Sequence, residues 1–364
     1  MINQTPKLMN RVKLQRSFEG EDIYIGIDVH LKSWKVSVFS QEFELKTFTQ
    51  PPDSSLLMVF LKKHYPGATY HCVYEAGFSG FSTQRRLASM GINCLVIHPA
   101  DVPTMDKEKK HKSDRIDSRK LGRSLKNGDL NAIYVPDQQI EQDRALLRTR
   151  DRIVRNRTRV KNRIKFFLMF FGVEIPDEFS GKIWSKGFLE WLNTLSLGKS
   201  AKHSMKVYLS ELNHLEVLGK ELNKNIRGLA RSEKYVKKVN LLMGIPSIGM
   251  ISAMTLLTEI GDINRFKSLK SLCCYFGLVP NSRSSGETSH VGRITRRGNS
   301  YLKFILVECA WTAMRKDPAL LLAYKSAIVH IEPNKAIIKV ARKLLNRIRF
   351  VLKNEKEYEA GVIQ

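Results

Sequence analysis

The chain has 364 residues, of which 43% are hydrophobic, so it is long enough for more than one domain with its own core. The net charge of +26 at pH 7 is too large to be incidental and favours a polyanionic partner, chiefly nucleic acid. No window approaches 18 apolar residues and no signal peptide is evident, which argues against a membrane or secreted protein. Five cysteines without zinc-binding spacing indicate reduced thiols, and together these features predict a cytoplasmic protein.

The first hundred residues carry the pattern of a sheet with helices packed on it. Residues 23–40 alternate apolar and polar positions around a polar turn and predict a β-hairpin. Residues 69–77 and 93–100 predict two further strands, and residues 54–66 and 81–91 predict helices that end at proline or glycine. The order β-β-α-β-α-β is typical of an α/β sheet.

Four carboxylates in this region stand out. Asp28 lies inside an apolar strand, where an aspartate is costly unless it is paired or bound to a cation, and Glu75 ends another strand. Asp114 and Asp117 lie one turn apart at the start of a predicted helix. Taken singly, each has an ordinary explanation, such as an ion pair, a turn or the helix dipole. Together, their order matches a ribonuclease-H-like nuclease fold, and such acids suit Mg²⁺.

A strongly basic helix is predicted over residues 144–165, which hold ten Lys and Arg residues against the single acid Asp151. Apolar residues recur every seven positions along it, so one seam is apolar and the remaining surface basic. The bland alternative is a solvated helix face, but this charge density favours contact with nucleic acid. The seam consists of Leu146, Ile153, Val160 and Phe167, and the candidate contacts are Arg148, Arg152, Arg155, Arg159 and Arg163.

A second heptad pattern covers residues 204–231, with Tyr208, Leu215, Leu222 and Leu229 seven apart. It predicts a helical hairpin or a short coiled coil that joins two domains or two subunits. A helix packed on its own domain explains the pattern equally well.

The C-terminal half is predicted to be mainly helical, with a helix within 268–280 that ends at Gly277 and helices at 300–316 and 334–353, the last strongly basic. The turn at 244–249, GIPSIG, has the spacing of a helix-hairpin-helix DNA-binding turn, although an ordinary helix–helix turn explains it nearly as well. Residues 280–299 are predicted to form a polar loop, which either binds phosphate without chemistry or holds a serine against a phosphate. This loop contains Ser282, Ser284, Ser285, Ser289, Arg283, Arg293, Arg296 and Arg297.

Several of these segments together resemble a known family. YIGIDVHLKSWKVSV, VYEAGFSG, VIHPADVP and KSDRIDSRKL resemble the N-terminal DEDD domain, a RuvC-like fold, of the bacterial insertion sequence 110 family of transposases, including its 1111 group. The segments from LLMGIPSIGM to GLVP and from SSGETSHVGRITRRGN to ECAW resemble that family's C-terminal transposase domain. The resemblance covers most of residues 22–316 and includes both domains in order.

The resemblance implies a function and a set of site residues. Asp28, Glu75, Asp114 and Asp117 would be the four DEDD acids that bind Mg²⁺. Ser285, which precedes a glycine, would attack a DNA phosphodiester and form a covalent link that the other strand later resolves. The acids and the serine would form one composite site. Family members also bind a bridge RNA that pairs with donor and target DNA, and they work as tetramers, each a dimer of dimers.

The chain departs from the family pattern in small ways. The helix motif reads Ser-Asp-Arg-Ile-Asp-Ser, where Thr is commoner at the start and Ala at the end. Ser284 is an alternative nucleophile, since the assignment to Ser285 depends on register and on the following glycine.

The sequence thus predicts an α/β ribonuclease-H-like (RuvC-like) N-terminal domain, a helical coiled-coil linker and a mainly α C-terminal transposase domain. The predicted boundaries are a flexible leader at 1–21, the DEDD domain at 22–135, the basic helix and linker at 136–235, the transposase domain at 236–330 and a basic helix and tail at 331–364.

The expected function is that of a DNA transposase in the bacterial cytoplasm, associated with the nucleoid. Two other functions fit the same residues. A Mg²⁺-dependent, structure-specific nuclease would need only the acids, and a non-catalytic nucleic-acid-binding protein would need only the basic helix.

Overall fold

The computed structural model describes residues 17–103, 114–181, 183–285, 288–295 and 297–361. Within these ranges, the side chains of residues 114–115, 282–285, 288–291 and 293 lie outside the description. The chain divides into two compact units, residues 1–135 and 136–364, and each is treated by itself.

The first unit is built on a five-stranded mixed sheet with the order β3-β2-β1-β4-β5. β1 pairs with β2 in antiparallel fashion and with β4 in parallel fashion, β2 pairs antiparallel with β3, and β4 pairs parallel with β5. The predicted hairpin and the two later strands are confirmed. β3 was missed because it is an edge strand and its first three residues, Glu44 to Lys46, are all exposed. The strands are β1 Asp22–Val29, β2 Trp34–Phe39, β3 Glu44–Gln50, β4 Thr69–Glu75 and β5 Asn93–Ile97.

Helices cover both faces of the sheet. On one face, α1 (Ser54–His64) and α2 (Ser82–Ser89) bury their leucines against alternate residues of β1, β4 and β5. On the other face, α3 (Asp114–Lys126) packs Leu121 against Val73 and Ile97. This architecture is consistent with the predicted ribonuclease-H-like fold.

The second unit is mainly helical, as predicted, and holds one two-stranded hairpin among its described residues. Its helices are α4 Gln138–Phe170, α5 Lys186–Thr194, α6 Lys199–Ala230, α7 Val236–Met243, α8 Met250–Ile260, α9 Leu269–Phe276, α10 Ser300–Ala313, α11 Pro318–Ile328 and α12 Pro333–Asn354. The hairpin consists of β6 Pro280–Ser285 and β7 Thr288–Ile294. The prediction of a polar loop at 280–299 is therefore wrong over most of its length. Two strands form there by antiparallel backbone pairing, although their residues show no apolar alternation.

α4 and α6 form an antiparallel helical hairpin within the chain. Near the start of α4, Leu147 shares a core with Ile226 at the end of α6. Towards the end of α4, Leu168 shares a second core with Met205 at the start of α6, together with α5. Predicted seam residues lie in the same two cores: Leu146 and Leu229 pack against the first, and Val160 and Leu215 are buried in the second. Of the structures predicted for these helices, the helical hairpin is therefore confirmed. A coiled coil between subunits stays a prediction.

Across the residues that the structure describes, no helix combines the length and the apolar character needed to cross a membrane.

Candidate active site

The strand register places two of the predicted acids next to each other. Ile27 of β1 pairs with Tyr74 of the parallel strand β4, so the residues that follow, Asp28 and Glu75, lie side by side at the same end of the sheet. Successive side chains alternate between faces, so Asp28 points to the same face as Gly26. That is the face on which α3 packs.

A glycine contact fixes the position of α3 on this face. A Cβ atom at Gly26 would lie 2.1 Å from the carbonyl oxygen of Ser118 and 2.3 Å from the amide nitrogen of Gly122, so the helix backbone rests directly on the strand. Ser118 Oγ is also 2.9 Å from Ser37 Oγ on β2, and Gly122 lies against the ring of Phe39. Since Ser37 pairs with Gly26 and Phe39 pairs with the earlier residue Tyr24, α3 runs antiparallel to β1. Its first turn therefore lies towards the end of β1 that carries Asp28.

That first turn contains the other two predicted acids. Asp117 lies one turn before Leu121, which packs on Val73 of β4, so Asp117 is on the side of the helix nearest Glu75. Position 114 lies one turn before Ser118, and the side chain of Asp114 is outside the described residues. The backbone thus brings all four predicted positions to one end of the sheet.

The donor chemistry at this end of the sheet fits a divalent cation. Carboxylate oxygens are the ligands that Mg²⁺ prefers. The Asp28 side chain is 20% exposed, and Oδ2 lies 3.0 Å from Nε2 of His30, a neighbour that sequence reasoning did not single out. Within the described side chains, no three Asp, Glu, His or Cys residues meet closely enough to hold an ion. The four-acid set includes Asp114, so it is not tested by that finding.

The predicted nucleophile belongs to the β6–β7 hairpin in the second unit. Ser285 is the last residue of β6 and pairs with Thr288, and Arg283 and Arg293 also lie on these strands. The side chains of Ser282, Ser284, Ser285, Ser289, Arg283 and Arg293, together with the whole of Arg296, are outside the described residues. Arg297 follows β7 and is exposed.

The base of this hairpin is tightly packed. The amide of Thr295 donates to the carbonyl of Val279 (2.9 Å), and the amide of Asn299 donates to the carbonyl of Tyr275 (2.7 Å). A Cβ atom at Gly298 would lie 2.5 Å from the amide nitrogen of Gly277, and both glycines have positive φ. These backbone contacts hold the base of the β6–β7 hairpin in place against the end of α9 and the start of α10.

A buried carboxylate, Glu259, connects this base to the basic helix α4. Its side chain is fully buried, and it accepts hydrogen bonds from Nε and Nη2 of Arg148 at 2.6 and 2.9 Å. Asn299 Nδ2 donates to it at 2.7 Å, while Asn299 Oδ1 caps the start of α10. Tyr275 donates its hydroxyl hydrogen to the backbone carbonyl of Glu259, and Arg144 donates to that of Thr258. The hydrogen bond to Glu259 raises the pKa of the Arg148 guanidinium, against the opposing effect of burial.

The sequence contained a signal for Glu259 that was not used. It is the single charged residue in the otherwise uncharged helix MISAMTLLTEI, where burying a carboxylate is costly for the same reason as at Asp28.

The five arginines of α4 that were predicted to contact nucleic acid, called the arginine stripe, differ in their contacts. They are Arg148, Arg152, Arg155, Arg159 and Arg163. Arg148 is bound to Glu259, and Arg163 forms an ion pair with Glu211 of α6. Arg155 pairs with Asp151 on its own helix while remaining 57% exposed. Arg152 and Arg159 are exposed. The middle of the stripe therefore presents cationic groups at the surface, and its two ends also bind acids within the unit.

Comparisons with known proteins identify similar chains. A family profile described as "Transposase IS116/IS110/IS902 family" matches residues 239–325, and an IS110-type DEDD profile described as "Transposase" matches residues 25–171. The y4qE protein of Sinorhizobium fredii, which carries a transposase name, is 32% identical over 67% of this chain, and this chain spans only 58% of its length.

Two further relatives are matched over more of their own length. The transposase for insertion sequence element IS1533 of Leptospira borgpetersenii is 28% identical over 79% of this chain and 84% of its own. The transposase for insertion sequence element IS1111A of Coxiella burnetii is 26% identical over 76% of each chain.

Proposed function

The chain belongs to the IS110 family of transposases, and we propose that it cuts and rejoins DNA through a covalent bond to Ser285, assisted by a Mg²⁺-binding DEDD site. The observation that carries this proposal is the arrangement of the first unit. Asp28 and Glu75 lie side by side on parallel strands, and the first turn of α3 brings positions 114 and 117 to the same end.

The metal would be held by Asp28, Glu75, Asp114 and Asp117. When bound, a divalent cation neutralises the negative charge of a phosphoryl group under attack and positions its oxygens. The DEDD family suggests dependence on a divalent metal, and Mg²⁺ is the identity proposed here because all four side chains are carboxylates. His30, 3.0 Å from Asp28, would orient that carboxylate.

Ser285 would supply the nucleophile. Its hydroxyl oxygen forms a bond to the phosphorus, the bond from phosphorus to one ester oxygen breaks, the serine proton passes to a base, and the released DNA oxygen takes up a proton. Attack by a hydroxyl of the other strand reverses these steps and regenerates the serine. Arg283, Arg293, Arg296 and Arg297 would neutralise the phosphate, since arginine forms paired hydrogen bonds to phosphate oxygens.

The proposed partners are donor and target DNA and a structured bridge RNA. The net charge of +26 and the exposed arginines of α4 support a nucleic-acid partner. RNA guidance and assembly as a dimer of dimers are supported by the family resemblance alone. Arg152, Arg155 and Arg159 are the strongest candidates for contacts with the phosphate backbone of the nucleic acid, because they lie on one exposed face of α4.

A Mg²⁺-dependent nuclease that hydrolyses DNA with water is the second candidate. The acids of the first unit are sufficient for that reaction, and no covalent adduct would form. The two functions therefore differ in their dependence on Ser285.

Covalent trapping separates them. Purified protein, Mg²⁺, RNA from the flanking element and labelled target DNA are mixed, denatured and run on a gel. We expect a labelled protein band that is lost in Ser285→Ala and in Asp28→Ala. The Ser284→Ala variant serves as the matched control and should retain the band. Cleaved DNA without an adduct, unaffected by Ser285→Ala, would establish the hydrolytic nuclease instead.

A further inference from the structure

The C-terminal part of the second unit contains a basic cavity that the proposed chemistry does not use. A cavity of about 480 Å³ lies where α9, α11 and α12 meet. Two apolar residues, Leu269 and Ala319, contribute to its wall. The remaining lining residues all come from α12, a helix that lies beyond both family matches, which end at residues 171 and 325.

Four cations line this cavity. Lys339, Arg342, Lys343 and Arg347 occupy successive turns of one face of α12, and Asn346 lies among them. No acidic residue is among the described residues that line the cavity. The neighbouring face of α12 is apolar and buried in the core, so the helix places its cations along the edge of the cavity.

Arg347 is held in a fixed orientation. Its guanidinium contacts Asp317, whose side chain is fully buried, and the hydroxyl of Tyr358. Asp317 therefore offsets the charge of Arg347. Lys339, Arg342 and Lys343 have exposed side chains, so their charges are available at the surface.

Two helices begin at the same cavity. Leu269 is the first residue of α9, and Ala319 lies in the first turn of α11. Ser268 and Asp317 already cap these helices, so amides such as those of Ser271 and Leu320 have partners. Asp317 offsets the dipole of α11, but the first turn of α9 holds no acidic residue, so the positive end of its dipole adds to the attraction that the lysines and arginines exert on an anion.

We infer that this cavity binds backbone phosphates of nucleic acid. Phosphate is the anion that this group of donors suits, because guanidinium and ammonium groups and the start of α9 all favour its charge. A polymer fits better than a free anion, since basic residues continue along α12 to Lys335 and Lys353 on either side of the cavity. The inference rests on the proposed function only in its choice of nucleic acid as the ligand, and it is independent of the serine chemistry.

The test compares two charge-matched double variants of the full chain. Lys339→Gln with Lys343→Gln removes two charges at the cavity. Lys238→Gln with Lys325→Gln removes two exposed charges of the second unit that neither line the cavity nor lie on α12. Dissociation constants are measured between 50 and 300 mM salt for a DNA duplex and, separately, for the structured RNA of the flanking element. Thermal unfolding verifies that each variant is folded.

We expect the cavity variant to bind one of the two nucleic acids at least tenfold more weakly at low salt. Its slope of log affinity against log salt should fall by about 1.8 on duplex DNA, or by about 1.4 if the contacts are to single-stranded parts of the RNA, since each of the two lost phosphate contacts contributes about 0.9 or 0.7. The control should change much less. The arm that responds identifies the polymer as DNA or RNA.

Equal losses in the two double variants would overturn the inference, because they would reflect general charge rather than a site. Unchanged binding by the cavity variant would overturn it as well and leave the recombinase proposal intact. If the unaltered protein binds neither nucleic acid, both proposals fail together.

Discussion

Replacing Arg148 with alanine should destabilise the second unit through the acid it leaves behind. Glu259 is fully buried, and two of its hydrogen bonds come from Arg148. Without that guanidinium, Glu259 retains the amide of Asn299 at 2.7 Å and the more distant Arg144, whose Nε is 3.9 Å away. A buried carboxylate with so little compensation is the main source of the expected loss.

The magnitude follows from the burial of the two partners. Removing one partner of a buried ion pair costs about 3–5 kcal/mol. The Arg148 side chain is 49% exposed, so water can enter where the guanidinium was, and we expect about 2–3 kcal/mol. Arg152→Ala, on the exposed face of the same helix, should change the free energy of unfolding by no more than about 0.5 kcal/mol.

Urea unfolding followed by tryptophan fluorescence measures this difference. Trp34 is the single tryptophan of the first unit, so in a Trp34→Phe background the fluorescence reports the second unit alone. Adding Glu259→Gln should reduce the effect of Arg148→Ala to below about 1 kcal/mol, because the unpaired charge is then absent. Two results would show that the buried pair does not hold α4 in place. One is a loss of unfolding free energy in Arg148→Ala no larger than that in Arg152→Ala. The other is a loss in Arg148→Ala that is the same with and without Glu259→Gln.

Three other outcomes are expected. Gly26→Ala should destabilise the first unit by about 1–3 kcal/mol or more and abolish Mg²⁺-dependent cleavage, because the new methyl group would lie 2.1 and 2.3 Å from backbone atoms of α3. Gly77→Ala is the control, since the nearest atom there is 3.9 Å away. Equal melting temperatures of the two variants in thermal unfolding would contradict the contact. A thiol reagent at pH 8 should label Cys274 first, because the other four cysteines are buried and burial raises the pKa of Cys94 to about 12. Fast labelling that persists in Cys274→Ser would contradict this expectation. Burial raises the pKa of Asp317, but Tyr358, the Leu320 amide and Arg347 outweigh it and lower the pKa overall, so the stability that Asp317 contributes is present above about pH 4 and is lost as the pH falls through the lowered value. Melting temperatures of the protein and of Asp317→Asn should accordingly differ at pH 7 and converge below pH 4, and a gap that is constant with pH would count against this.

The sequence predicted most of the first unit because its strands follow the simple rule of apolar alternation. β1 and β4 bury alternate residues on the α1–α2 face, and β4 ends at Glu75, two residues before Gly77. β3 was missed because an edge strand needs little burial, and its residues Glu44 to Lys46 are all exposed.

The β6–β7 hairpin was missed for a different reason. Its strands, PNSRSS and TSHVGRI, are polar, and their structure comes from backbone pairing between positions such as 283 and 290. No pattern of apolar and polar side chains in these segments predicts that pairing. The contacts of Glu259 were equally out of reach, since Arg148 and Asn299 lie 111 and 40 positions away in the chain.

The candidate acids, by contrast, could be found because the cost of a carboxylate in an apolar strand depends on local sequence alone. Which acids share one end of the sheet depends on register and on the direction of α3. The contacts of Ser118 with Ser37 and of Gly122 with Phe39 show that direction, and no local rule predicts contacts over such a separation in the chain.

The position of β1 in the sheet has a consequence for motion. β1 is the central strand, and its backbone is hydrogen-bonded to β2 on one side and to β4 on the other. Amides of such a strand exchange with solvent only through the largest opening of the domain. Asp28 therefore stands on the part of this unit that fluctuates least, and the amide hydrogens of Ile25 and Ile27 should be among the last to exchange with deuterium.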